Sequence, residues 1–230
     1  MSRRSHILGR DRRAVSQSDR LLYYYITDRR QLSRRAFYER VRRLASWGVD
    51  FIQVREKDLP DRELFRLARI ILALVDGTPC RVIINSRADI ALASGAHGVH
   101  LPSKGLCVQE VRGWLPAGFL VGVSTHSREE ARKAQDAGAD YALLGPVFET
   151  PSKEGYGPPL GLARFRDICG QVRLPVFGIG GIRSGDIPGI MGAGAAGIAA
   201  IRLFQAGSEL NLRKSRTFRS SGARDPENRA

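Results

Sequence analysis

Cysteine is scarce in this 230-residue chain. The three present, Cys80, Cys107 and Cys169, imply no disulfide framework, and they have too few Cys or His neighbours to read as a metal site. Long apolar runs are also missing: nothing approaches the stretch of about 18 residues that a membrane-spanning helix requires. The N-terminus is Arg-rich but lacks the apolar segment of a secretory signal, which together with the few cysteines predicts a cytoplasmic location. Acids are outnumbered, 23 Asp and Glu against 37 Lys and Arg, for a net charge of +14. Such an excess raises the question of nucleic-acid binding, so its placement matters. Residues 1–20 carry +4 and residues 205–230 carry +3. Both ends are Arg- and Ser-rich without periodicity and read as disordered arms. The moderately basic middle suits an anionic, phosphorylated ligand, and no specific nucleic acid is expected.

What the chain has in plenty is glycine, 25 residues, and a repeated alternation. Short apolar runs at Leu21–Thr27, Val49–Arg55, Arg81–Asn85, Gly98–Leu101, Leu120–Ser124, Tyr141–Gly145, Val176–Gly180 and Gly197–Ile201 read as strands. Between them Ser33–Trp47, Asp61–Val75, Arg87–Ser94, Ser127–Ala137 and Ser184–Met191 read as helices, with a shorter candidate at Val108–Trp114. Gly48, Gly77, Gly95, Gly138, Gly192 and Gly194 follow helices, where a left-handed cap suits glycine. The strings W-G-V-D, A-G-A-D and A-G-A-A-G repeat one helix-end, turn and strand-start unit. Near-continuous apolar strands alternating with helices predict an α/β fold, a single (β/α)8 TIM barrel over residues 21–204, with an open doubly wound sheet as the alternative. After Leu203 the pattern decays, so the closing helix is expected to be short and to leave barrel surface uncovered.

In a parallel barrel the active site lies where strands end. Strand alternation puts Gln53, Arg55 and Lys57 on one side, a fork and a point charge suited to phosphate or carboxylate. The alternative is an ion pair between Arg55 and Glu56 or another acid. Further ends carry Asn85, then Ser124 and His126. An imidazole titrates near neutrality, as a proton shuttle must, and His126 lies where it can reach over the mouth. His100, nearer the interior, reads as a hydrogen-bonded core residue; His6 and His97 receive no role. Thr150, Ser152 and Lys153 form a donor cluster on a Gly-flanked loop long enough for a lid. Gly180 and Gly181 after the seventh strand offer bare backbone to phosphate oxygens.

These strings, Q-V-R-E-K at 53–57, G-V-H-L-P-S at 98–103, G-V-S-T-H-S at 122–127, G-P-V-F-E-T-P-S-K at 145–153 and G-I-G-G-I at 178–182, resemble the thiamine phosphate synthase and TenI superfamily across residues 21–204. The resemblance implies a TIM barrel acting on hydroxyethylthiazole phosphate or its carboxylated precursor. In the synthase, Gln, Arg, Lys and Asn matching Gln53, Arg55, Lys57 and Asn85 hold a pyrophosphate with Mg2+, whose two aspartates should stand at the positions of Ser86 and Gly105. Neither replaces a carboxylate on a hard cation. The TenI-type tautomerases lack that metal site and catalyse a cofactor-free 1,3-proton shift on carboxythiazole phosphate, with a His in the register of His126 as acid and base. The expectation is therefore a TenI-like thiazole tautomerase without metal or cofactor. Its phosphate would be held by Thr150, Ser152, Lys153, Gly180 and Gly181, and its carboxylate by Arg55. The alternative is a thiamine phosphate synthase with Mg2+, which Lys57 favours; a catalytically silent ligand-binding regulator is the alternative of another class. Arg202 stands where the family carries a small hydroxyl residue and is placed with the substrate-binding set, either adding a charge or obstructing the site. The expected partner is a small phosphorylated thiazole, with no membrane, and a homodimer is left open.

Overall fold

The computed structural model describes residues 20–150 and 158–206. Eight parallel strands close into one barrel in sequence order: β1 (Leu22–Ile26), β2 (Phe51–Val54), β3 (Arg81–Asn85), β4 (Gly98–Leu101), β5 (Leu120–Thr125), β6 (Tyr141–Leu144), β7 (Val176–Ile179) and β8 (Gly197–Ala200). The closing pair sets Leu22 against Gly197 and Tyr25 against Ala200. The open-sheet alternative is thereby excluded. Among the described residues eight α-helices follow the strands: α1 (Arg34–Trp47), α2 (Asp61–Val75), α3 (Ala88–Ser94), α4 (Val108–Arg112), α5 (Arg128–Asp136), α6 (Gly161–Gln171), α7 (Ile187–Gly192) and α8 (Arg202–Gln205). Ser33 and Ser127 cap α1 and α5 by accepting the backbone N–H of Ala36 and Glu130. Gly48, Gly77, Gly95, Gly138 and Gly194 all have positive φ, as a left-handed cap requires. Gly192 does not follow a helix but ends α7.

Helix α6 goes unread in the sequence. Glycines at 161 and 170 and the preceding Pro158-Pro159 mask it, although Leu162, Phe165 and Ile168 recur at helical spacing, and Phe165 and Ile168 are buried.

Alternation sorts each strand into an inner and an outer set. Leu22, Tyr24, Phe51, Ile83, Leu120, Tyr141, Leu143 and Phe177 fill the barrel. Tyr23, Tyr25, Ile52, Val82 and Val121 belong to the larger core that includes the helices' buried faces. Four rings dominate the interior: Tyr24 stacks on Phe51 at 5.4 Å and meets Tyr141 and Phe177 at 5.6 Å. Their bulk is admitted by Gly122 on β5, where a Cβ would overlap the Tyr141 ring.

The repeated turn has a shared purpose at the bottom of the barrel. Asp50 accepts the N–H of Tyr23 at 2.8 Å, and Asp140 accepts that of Val121 at 2.7 Å. Each caps the start of the preceding strand and is held by an arginine, Arg20 and Arg112 respectively. His97 fills the same slot, its Nδ1 accepting from Val82 N at 3.0 Å. A histidine without assigned function thus turns out to be a strand cap. Asp140→Ala is expected to lower the unfolding free energy by about 3 kcal/mol, because it leaves the Val121 amide without its acceptor and the partly buried Arg112 guanidinium without its charge partner, held only by the Phe119 and Gly138 carbonyls; urea unfolding with an unchanged m-value checks this.

The closing helix is short, as expected, but β1 is not bare. Phe204 is fully buried and lies edge-on to Tyr23 and Tyr25, both at 6.0 Å. Gln205, one residue past the expected barrel boundary, donates to the Asp28 carbonyl at 2.9 Å and the Tyr25 hydroxyl at 3.3 Å. Of the expected arms, residues 1–20 and 205–230, only Arg20, Gln205 and Ala206 are described, and Gln205 belongs to α8 rather than to an irregular tail; the rest lie outside the described residues. Among those described, no helix is long and apolar enough to cross a membrane.

Candidate active site

The carboxyl ends of the strands gather the polar residues at one rim, and the floor beneath them is a hydrogen-bonded layer. Gln53 is 1% exposed and donates from Nε2 to the Tyr24 hydroxyl at 3.0 Å, which lies 2.8 Å from the Tyr141 hydroxyl. Burial raises the pKa of both phenols, so they act as neutral hydrogen-bonding groups. His100 is also inside, stacked on Tyr141, with Nε2 2.9 Å from the Ser124 hydroxyl. It is the core residue its position predicts, and it fixes Ser124 from below.

Past β2 the alternation stops. Glu56 turns inward and is 5% exposed. Its carboxylate accepts the Arg29 backbone N–H at 3.1 Å, while the Arg29 guanidinium grips Asp58 at 2.9 and 2.7 Å. Burial, opposed by Thr27 and Arg29, raises the Glu56 pKa. The acid proposed as a partner for Arg55 is therefore engaged by Arg29. Arg55 is half-buried, its backbone N–H donates to the Thr27 hydroxyl at 3.0 Å, and among the described residues no acid pairs with its guanidinium. Lys57 lies in the following turn and is exposed, so strand alternation does not place it.

His126 sits two residues beyond Ser124, at the end of β5. Its Nδ1 lies 2.6 Å from the Gly145 carbonyl oxygen. A carbonyl only accepts, so Nδ1 carries the hydrogen, and in the neutral ring Nε2 bears the lone pair. The backbone N–H of His126 donates to Glu130 at 2.8 Å, fixing the residue from the first turn of α5. Gly145 must be glycine, because a Cβ there would meet Ile179, whose carbonyl accepts from Val147 at 2.9 Å. Glu130 and the Gly145 carbonyl are site residues that sequence reasoning missed; the signal available was the i, i+4 spacing of His126 and Glu130.

Gly180 and Gly181 have φ of 96° and 67°. A Cβ on Gly181 would lie 2.8 Å from the Phe148 carbonyl carbon, so packing against the segment after β6 demands glycine there regardless of ligand. Thr150 lies at the end of that segment. Arg202, exposed at the start of α8, points Nη2 at the Thr150 hydroxyl across 3.4 Å. It shares the rim with Thr150. Ser152 and Lys153 lie outside the described residues.

Would this rim suit Mg2+? Asn85 Nδ2 donates to the Ser86 hydroxyl at 2.8 Å, and Ser86 holds a left-handed φ of 64°, a conformation that aspartate tolerates. The backbone could present a carboxylate, yet the side chain is a hydroxyl. Gly105 closes a turn onto the Pro102 carbonyl at 2.8 Å, and a Cβ there would lie 2.9 Å from Pro102 Cδ. A carboxylate at 105 would require that turn to shift, and the neighbouring Lys104 repels cations. Among the described residues no three His, Cys, Asp or Glu side chains are grouped to hold a metal. The donors at these two positions do not fit a hard divalent cation.

Comparison with known proteins bears on the same span. The family model described as thiamine monophosphate synthase matches residues 23–204. A Geobacter sulfurreducens protein named "Putative thiamine-phosphate synthase" is 45% identical over 178 residues, covering 77% of this chain and 84% of that protein. A thiamine-phosphate synthase of Roseiflexus sp. is 39% identical over 180 residues, 78% and 76% of the two chains. Among solved structures, a thiamine phosphate pyrophosphorylase from Pyrococcus furiosus superposes with a TM-score of 0.75 at 32% identity, covering 84% of this chain and 94% of that one.

Proposed function

Because the chain belongs to the thiamine monophosphate synthase family and is thereby an enzyme of thiamine biosynthesis, we propose that it binds a thiazole phosphate at the barrel mouth and moves a proton there through His126. The carrying observation is the imidazole locked by Gly145. A 1,3-proton shift needs one group that accepts a proton from one carbon and returns it to another, held rigidly over both. With Nδ1–H committed to a carbonyl, Nε2 is the nitrogen that takes the proton as the first C–H bond breaks. The imidazolium then returns it as the second C–H bond forms, and the thiazole becomes aromatic. No proton or electron is gained or lost overall. Arg55, half-buried and without an acid partner among the described residues, suits the substrate carboxylate. Thr150 with Arg202, the backbone at Gly180 and Gly181, and Ser152 and Lys153 from the same loop make up the phosphate grip; Ser124 faces the ring from below. In this reading Arg202 adds a charge rather than obstructing.

A second reading, the coupling of a pyrimidine pyrophosphate to thiazole phosphate, is favoured by the names of the relatives and by Gln53, Arg55, Lys57 and Asn85. Against it stand the two positions that lack a carboxylate, since departure of pyrophosphate without the metal would lose its main charge stabilisation. Two incubations decide. Purified protein with the carboxythiazole phosphate tautomer is expected to yield the aromatic isomer. With pyrimidine pyrophosphate, hydroxyethylthiazole phosphate and Mg2+ it is expected to yield no thiamine phosphate above the protein-free rate. The opposite pattern would establish the coupling reaction.

A further inference from the structure

Outside the mouth, a cavity of about 510 Å³ opens between α1 and α2, within the ~300–1,000 Å³ typical of small-molecule sites. Its lining brings together four arginines, Arg29, Arg30, Arg34 and Arg66, against one acid, Glu63. Arg29 and Arg30 are answered by Asp58. Among the described residues, no acid pairs with Arg34 or Arg66. Their guanidinium forks suit the bidentate geometry of phosphate. Beside them the wall is apolar: Tyr38 is half-buried, and Ile70 leaves 42% of its surface exposed. The exposed guanidinium groups are hydrated as they stand, and a bare inorganic anion would leave the apolar wall beside them uncovered. Both are matched by a molecule that is anionic at one end and flat and apolar at the other.

We propose that this cleft is a second ligand site, separate from the mouth, for an organic phosphate ester carrying an aromatic ring. The phosphate lies between Arg34 and Arg66, and the ring lies against Tyr38 and Ile70. None of His126, Arg55 and Arg202 lines this cleft, so it stands or falls apart from the catalytic reading.

The test is calorimetric titration of the full chain with phenyl phosphate and with inorganic phosphate. Phenyl phosphate is expected to bind, and the double variant Arg34→Gln, Arg66→Gln to weaken that binding at least ~10-fold, the loss of one charge-assisted contact or more. Arg202→Gln, at the phosphate grip of the mouth, is expected to leave it in place. Inorganic phosphate is expected to bind more weakly, and Ile70→Ser to narrow the difference between the two probes. All four substituted positions are exposed, and an unchanged thermal melt verifies the fold of each variant. Absence of saturable phenyl phosphate binding would overturn the proposal. So would binding that is unchanged in the double arginine variant or disappears with Arg202→Gln alone.

Discussion

Replacing His126 with alanine is expected to slow the proton shift by about 10²–10⁴-fold, the range that a positioned acid/base group supplies. The KM for the carboxythiazole phosphate should move by no more than a few-fold, because Arg55, Thr150 and Arg202 remain to hold the anions. The fold should survive, since the residue lies at the rim beyond β5 and contributes to no buried cluster. Glu130→Gln provides a graded control: it weakens the bond that fixes the His126 backbone but leaves the Gly145 carbonyl in place, so a smaller loss in kcat is expected. Steady-state kinetics on the three proteins checks the order. A His126→Ala enzyme that keeps more than a tenth of the wild-type rate would remove the imidazole from the reaction.

Gly122→Ala is expected to be the most destabilising conservative change in the barrel. The added methyl would overlap the Tyr141 ring, which is fully buried. That ring cannot retreat cheaply: it lies 5.6–6.0 Å from the rings of Tyr24, Phe51 and Phe177, and its hydroxyl is bonded to Tyr24 at 2.8 Å. Over-packing of this kind costs about 3 kcal/mol, at the upper end of its usual range. For a barrel of this size that corresponds to a fall in Tm of roughly 6–12 °C. Gly170→Ala in α6, with open space around its Cβ position, should instead be neutral or slightly stabilising, as alanine is favoured inside helices. Thermal unfolding of both variants provides the comparison. Adding Tyr141→Leu to Gly122→Ala should recover part of the loss, because the smaller side chain vacates the overlap; no recovery would mean that the strain lies elsewhere.

Legibility of the fold followed from how local each cause is. All eight strands were readable because buried parallel strands are apolar along their whole length, and their observed ends fall within two residues of the runs in the sequence. Helices opened by serine were readable because Ser33 and Ser127 make their bonds within three residues. Helix α6 was hidden because its glycines and the prolines before it argue against a helix locally, while the burial of Phe165 and Ile168 that stabilises it is a tertiary effect. The candidate site divided in the same way. Position at a strand end singled out His126, Arg55 and Asn85. The partner of Glu56 could not be read, because Arg29 comes from a different βα loop, and Gln53 gave no sign that its amide would serve the Tyr24 hydroxyl beneath the mouth.

The sequence by itself determined the barrel, the family and the absence of carboxylates at positions 86 and 105, because residue identity and short-range periodicity suffice for each. Only the tertiary structure decided which nitrogen of His126 carries its hydrogen, that Arg29 rather than Arg55 answers Glu56, and that His97 caps a strand. Those outcomes depend on groups brought together from separate strands and loops, and barrel closure is what sets them side by side.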